Sequence, residues 1–244
     1  MSGLSAHSGN DFLGKNNNPG NYASLYPYSD PSVKDYWISV ANVDQDHKIY
    51  EESNHCSISA DWCLAAPGSD IYSSIVKKKL SSPEENPYSY ASWYGTSMAA
   101  PHVTGALALA MQRFPYMDNK QIREVILTTT NNSGHLSNTA IYGQGLLDVG
   151  KAMHGPGKFR QDWDLAIDDD ACANLTDQTC NVWSNDISGP GGLNKTGPGI
   201  LTLSGNNSYR GITYIAEGEL HIAGELNGSD ITIADGLLNI NEHA

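Results

Sequence analysis

Apolar positions in the first 153 residues fall into blocks that alternate between strand-like and helix-like patterns. Residues 36–43, YWISVANV, are a β-branched and aromatic run that ends at Asp44 and predicts a buried strand. Residues 62–68, WCLAAPG, are a second short apolar run, stopped by Pro67 and Gly68. Residues 77–90, KKKLSSPEENPYSY, are polar and hold two prolines, which predicts a loop. From Val103 to Met111 the chain is apolar on nearly every side, which predicts a central buried helix that stops before Pro115. Residues 118–129, DNKQIREVILTT, predict a further helix, with Asp118 as N-cap, Gln121 at the capping-box position, and Ile122, Val125 and Ile126 sharing a face. Residues 142–153, YGQGLLDVGKAM, then predict a glycine turn, a short strand and a last helical turn. Residues 1–153 thus read as α/β.

The pattern changes at His154. Residues 154–190 are polar and acidic and read as a linker. Asp162, Asp164, Asp168, Asp169 and Asp170 lack the DxDxDG loop of a calcium site, so this run is expected to be a solvated face and no metal is assigned. From residue 191 to 244, short alternating strands recur about every ten residues between Gly, Asn or Asp positions. Stacked short strands of this kind predict a β-solenoid, and its last rung carries no cap.

Charge and cysteines narrow the function classes. The formal net charge of −13 makes nucleic acid and anionic membrane surfaces poor partners. No apolar run is long enough to span a bilayer as a helix, and residues 1–14, MSGLSAHSGNDFLG, are not expected to be a signal peptide. The four cysteines form two close pairs, Cys56/Cys63 and Cys172/Cys180. Disulfides Cys56–Cys63 and Cys172–Cys180 would each close a short loop and imply an oxidising compartment. Zinc held by His55, Cys56 and Cys63 is the competing reading, weakened by the absence of CxxC spacing.

Candidate chemistry centres on Ser97 in SWYGTSMAAPHVTGALALAMQRFP, residues 92–115. A hydroxyl at a helix N-terminus sits where unpaired backbone N–H groups and the positive dipole end converge, a favourable place to hold an oxyanion. Gly95 allows close approach of backbone and substrate. Pro101, four residues on, cannot donate to the Ser97 carbonyl and loosens the first turn. Most serines that precede a helix are simple N-caps, so the neighbours decide.

Those neighbours, GTSMAAPHVTGALAL at residues 95–109, closely resemble the nucleophile segment of the subtilisin-like serine proteases, the subtilases. WISVANVD (37–44), CLAAPGSDIYSS (63–74) and YGQGLLDVGKAM (142–153) resemble further parts of that family, so the likeness covers about residues 6–153. It implies a parallel sheet with flanking helices, truncated at its N-terminus, no cofactor, and a protein or peptide substrate. It makes Ser97 the nucleophile and Asn10, in HSGND, the side-chain donor of the oxyanion hole, with Gly9, Gly95 and Thr96 lining the substrate site. No hydrophobic strand is legible ahead of Asn10, and the 87-residue interval from Asn10 to Ser97 implies insertions.

The family's Asp and His motifs, DxG and HGTxVAG, do not occur in these 244 residues. His102 is expected on another side of the helix from Ser97, His47, His55, His135 and His154 have no helpful context, and His7 sits just before Asn10 where the family has a small strand residue, so none is assigned as the base. The chain is therefore expected to be inactive alone, its base lying in a missing N-terminal half of the domain. Residues 192–224, GLNKTGPGILTLSGNNSYRGITYIAEGELHIAG, resemble the passenger-associated repeat of Gram-negative autotransporters, and SNHCSISADWCLAAPG (53–68) resembles the cysteine-bearing segment of their proteases. The resemblance implies a right-handed β-helix, an outer-membrane translocator barrel as partner, and a secreted or cell-surface location. A non-catalytic, degenerate passenger or adhesin fragment is the alternative class.

Overall fold

Parallel pairing organises the N-terminal part of the chain. In the computed structural model, which describes residues 4–10, 24–77, 82, 86–175 and 179–241, strand β1 (Leu4–His7) is followed by the short helix α1 (Tyr26–Ser29), β2 (Trp37–Val43) and β3 (Cys63–Pro67). The strands form a parallel sheet in the order β1-β2-β3. The central β2 is buried from Ile38 to Val43 on both faces, which explains why its sequence is mostly apolar, with Ser39 and Asn42 as buried polar exceptions, rather than alternating with exposed polar residues. Sequence reading saw no strand before Asn10, yet β1 pairs Leu4 with Trp37 and His7 with Val40. A ready ladder on β2 is enough to hold four residues of weak intrinsic propensity.

Strands β4 (Ile71–Val76) and β5 (Tyr88–Trp93) form an antiparallel hairpin, with Ile71 opposite Trp93 and Val76 opposite Tyr88. The loop expected over 77–90 is therefore shorter, since Tyr88, Ser89 and Tyr90 belong to β5; residues 78–81 and 83–85 lie outside the described set. Helices α2 (Thr96–Arg113), α3 (Asn119–Thr128), α4 (Thr139–Tyr142) and α5 (Val149–Ala152) follow. At α3 the Asp118–Gln121 capping box forms in full. Helix α2 is not buried all round as its composition suggested: Val103, Ala106, Leu107 and Ala110 are buried, whereas Thr104, Gly105 and Ala108 are exposed and Leu109 is 49% exposed. Small apolar residues run round the whole helix, but its buried positions lie on one face.

Contacts divide the chain into two units, residues 4–105 with 131–147, and residues 106–130 with 148 onward. The first holds the β1-β2-β3 sheet, the β4–β5 hairpin and the head of α2. Its core includes Ala41, Val43, Ala65, Leu136, Tyr142 and Leu146 around the Cys56–Cys63 disulfide. Leu146 bridges to Ala65 and to Asn131, so residues 142–147 return to the sheet rather than making a free strand. Gly143 makes that return possible: its φ is +61°, and a Cβ there would meet the Cys63 carbonyl oxygen at 2.1 Å.

The second unit is built on parallel ladders. β6 (Trp163–Ala166), β8 (Leu193–Thr196), β11 (Thr213–Ile215) and β14 (Ile231–Ile233) form one sheet. β7 (Val182–Trp183), β9 (Ile200–Leu203), β12 (Glu219–Ile222) and β15 (Leu237–Ile240) form another, and β10 (Asn206–Asn207) pairs with β13 (Glu225–Leu226). Leu193, Thr213 and Ile231 occupy one register column, a repeat of 18 to 20 residues with three strands in each repeat. The spacing of strands is thus closer than the ten residues expected.

β6 and β7 lie inside the stretch read as an acidic linker. Trp163, Leu165 and Ile167 point inward while Asp162, Asp164 and Asp168 point out, a period of two that the high acidity masked. Trp163 and Trp183 pack with Phe159 and Tyr209, the closest pair being Phe159 and Tyr209 at 4.8 Å between ring centroids. Lys195 is also fully buried, and its Nζ donates to the carbonyls of Thr196, Gly197 and Glu217 at 2.9, 2.7 and 3.2 Å.

The Tyr209 hydroxyl bonds Thr213 Oγ1 at 2.6 Å, and burial pushes it up to about 12. The unfolded chain releases that proton near pH 10 and the folded chain only near the higher value, so stability falls as pH rises across this window. Urea titrations at a series of alkaline pH values should show a flatter decline for Tyr209→Phe, together with a loss of about 1 kcal/mol at pH 8 from the missing hydrogen bond.

Candidate active site

The site is assembled where loops leave the carboxyl ends of β1 and β3 and meet the start of α2. Ser97 is the second residue of α2 and is exposed, while Thr96 before it is fully buried. Gly95 takes φ +137°, and its carbonyl accepts from the amides of Met98 and Ala99 at 2.9 and 3.3 Å, starting the helix. Its own amide donates to the Gly68 carbonyl at 2.8 Å. Gly68 lies so close beneath that a Cβ there would stand 2.6 Å from Asn42 Oδ1 and 2.7 Å from the Gly95 carbonyl oxygen.

Asn10 arrives from the other end of the unit. The ladder of β1 on β2 extends through the Ser8 amide to the Val40 carbonyl at 2.8 Å, and Gly9 then turns the chain at φ +94°. Asn10 Oδ1 accepts from the Thr96 amide at 3.0 Å, across 86 residues of sequence. Its Nδ2 lies on the Gly95 side, 3.0 Å from where a Cβ on that residue would stand. Gly9, Asn10, Gly95, Thr96 and Ser97, widely separated in the sequence, are thus brought to one place. Chemically the arrangement offers a carboxamide N–H group beside a helix N-terminus with an exposed serine hydroxyl, a donor set suited to negative charge.

A cavity of about 530 Å³ opens in front of Ser97, walled by Ile71, Ile75, Trp93, Met98 and Pro101. His102 also lines it, although it leaves the helix on another side from Ser97. Five residues, about 1.4 helical turns, separate the two positions, yet both flank the same opening. The His102 ring is nevertheless held by its own helix, Nδ1 lying 2.9 Å from the Met98 carbonyl oxygen. Among the described residues no imidazole or carboxylate is hydrogen-bonded to Ser97. His135 is engaged with the His47 carbonyl and His154 with Ser184. Beside Gly95, the rings of Tyr94 and Tyr50 pack 5.3 Å apart, and burial, then the Glu52 carboxylate, pushes the Tyr50 hydroxyl up.

Cys56 and Cys63 are bonded to each other, as are Cys172 and Cys180, so none of the four sulfurs is a thiolate ligand. Among the described residues no group of three or more His, Cys, Asp or Glu side chains converges to hold a metal ion. Sequence reading missed Asn42, Ser53 and Asn54, three buried polar residues around the Asn10 loop. The signal available was a polar pair, Ser53-Asn54, two residues before a cysteine and ahead of an apolar run.

The sequence profile of the subtilase family matches residues 8–145, and that of the passenger-associated-transport repeat matches residues 193–222. An extracellular serine protease of Serratia marcescens is 36% identical over 82% of this chain and 23% of its own length. The neisserial autotransporter lipoprotein NalP of Neisseria meningitidis is 38% identical over 88% of this chain and 20% of its own. Subtilisin DY of Bacillus licheniformis is 31% identical over 54% of this chain and 42% of its own. The chain thus spans between a fifth and a quarter of the length of the first two relatives.

Two glycines of α2 and its entry should respond oppositely to alanine. Gly95→Ala places a Cβ against Asn10 at a φ that L-residues avoid and should cost about 1–3 kcal/mol by urea unfolding. Gly105→Ala, with open space around it in a helix interior, should gain about 0.5–1 kcal/mol in the same assay.

Proposed function

This chain belongs to the subtilase family, and on that premise we propose that it carries the nucleophile side of a serine endopeptidase site. In this reading Ser97 Oγ attacks the carbonyl carbon of a substrate peptide bond, forming the new C–O bond as the carbonyl electrons move onto oxygen. Asn10 Nδ2 and first-turn N–H groups of α2 hold that oxyanion. The tetrahedral species collapses by expelling the amine, which takes the proton removed from Ser97, and water then hydrolyses the acyl-enzyme. The observation that carries the reading is the Thr96 N–H to Asn10 Oδ1 bond at 3.0 Å, which orients the carboxamide, with its NH₂ beside the space that a Cβ on Gly95 would fill. A surface adhesin has no need of that contact, which disfavours the non-catalytic passenger reading.

The proton acceptor is assigned to polypeptide outside these 244 residues, a missing N-terminal half that supplies the Asp and His. Its docking surface would be the apolar cavity in front of Ser97. The stacked parallel strands are read as the first coils of a right-handed β-solenoid, starting within 154–190 and continuing through 191–244. Support comes from the register columns that repeat every 18 to 20 residues and from the passenger-repeat match. With relatives described as extracellular and as an autotransporter, the parent protein is proposed to reach the medium or cell surface of a Gram-negative bacterium through an outer-membrane barrel, and to cleave protein substrates there.

The isolated chain should react with a fluorophosphonate probe no faster than an ordinary exposed serine, because among the described residues no base adjoins Ser97. Mass-spectrometric mapping of the adduct over time checks this. Rapid labelling at Ser97 in residues 1–244 would contradict the assignment of the base to another segment, and labelling that persists in Ser97→Ala would remove Ser97 as the nucleophile.

A further inference from the structure

Asn10 follows a glycine at φ +94°, a joint that by itself gives its side chain no fixed direction. Three hydrogen bonds supply that direction from Asn54, more than forty positions away. Asn54 Nδ2 donates to the Ser8 carbonyl at 3.2 Å, and Ser8 Oγ donates to the Asn54 carbonyl at 3.1 Å. The Asn54 amide donates to the Gly9 carbonyl at 3.0 Å, the residue immediately before Asn10. Ser53 Oγ also donates to the Asn54 carbonyl, at 3.1 Å, while accepting from the amide of Asn42 in β2 at 2.9 Å. Asn10 itself bridges antiparallel to Ser53.

Ser8 and Ser53 are fully buried and Asn54 is nearly so, which makes each bond costly to lose and hard for water to replace. Two residues on, the Cys56 amide is tied to the Ile141 carbonyl at 3.1 Å and its sulfur to Cys63, so the clamp is fixed to the core rather than to a loose loop. From this network we infer that Asn54 and Ser8, backed by Ser53, are positioning residues that hold the Asn10 carboxamide on the Gly95–Thr96 backbone. The inference rests on the role proposed above for Asn10, and it adds the residues through which that role is set.

The test is amide hydrogen exchange at Thr96 in the full 244-residue chain, since that N–H has Asn10 Oδ1 as its acceptor. Asn54→Ala should raise the Thr96 exchange rate about tenfold or more while amides of α3 keep their protection. Ser8→Ala should act in the same direction, and Ser8→Thr, which keeps a hydroxyl, should restore the original rate. If Asn54→Ala fails to fold, the Ser8 pair decides. A merely structural role would lower global stability without singling out Thr96 and without rescue by threonine. Unchanged Thr96 protection in folded Ser8→Ala chains overturns the clamp. Asn10→Ala separates the two claims: if it frees the Thr96 amide but the clamp variants do not, only the clamp fails. If Asn10→Ala leaves that amide protected, both the clamp and the proposed placement of Asn10 fail.

Discussion

The contact between the Thr96 amide and the Asn10 carboxamide is the constraint on which the site depends. A helix begins with N–H groups that its own carbonyls cannot satisfy. Here one of them takes its partner from 86 residues away, and this fixes which edge of the Asn10 amide faces the chain and which faces outward. The contact needs the backbone of residues 95 and 96 to lie flush against a side chain, which a side chain at 95 would block. Gly68 extends the same requirement one layer down, between Asn42 and the Gly95 carbonyl.

Why those segments meet follows from the sheet. In a parallel sheet the loops leaving the carboxyl ends of the strands lie side by side, and helix N-termini point at the same edge. Asn10 is three residues beyond β1, Gly68 is the residue after β3, and α2 starts from Gly95, whose amide is bonded to Gly68. Every element of the candidate site therefore leaves one edge of one sheet. The sheet is small, but its central strand is buried along nearly its whole length, and this gives the edge its rigidity.

Legibility in the sequence followed how local each signal was. The β2 run, the Asp118 capping box and the Gly95–Ser97 helix entry are short-range patterns, and each could be read in place. β1 could not, because its strand character comes from pairing with residues more than thirty positions later. β6 was hidden for another reason: aspartates on the outward positions of QDWDLAID gave the stretch the composition of a linker while Trp163 and Leu165 faced the core. The exposed flank of α2 shows the limit of composition from the other side, since an all-apolar helix specifies that it can be buried, not what buries it. The Ser8–Asn54 pairing was invisible because it joins two unremarkable polar residues 46 positions apart.

The central claim is that Asn10, set by Thr96, stabilises charge that develops when Ser97 attacks a carbonyl. It is tested most directly by peptide hydrolysis in a polypeptide that joins this chain to the upstream segment proposed to bear the histidine and aspartate, comparing wild type with Asn10→Ala. The account predicts a kcat lowered by about a hundred- to a thousand-fold with KM little changed, the signature of a donor used only in the transition state. A variant that keeps the wild-type kcat would contradict it.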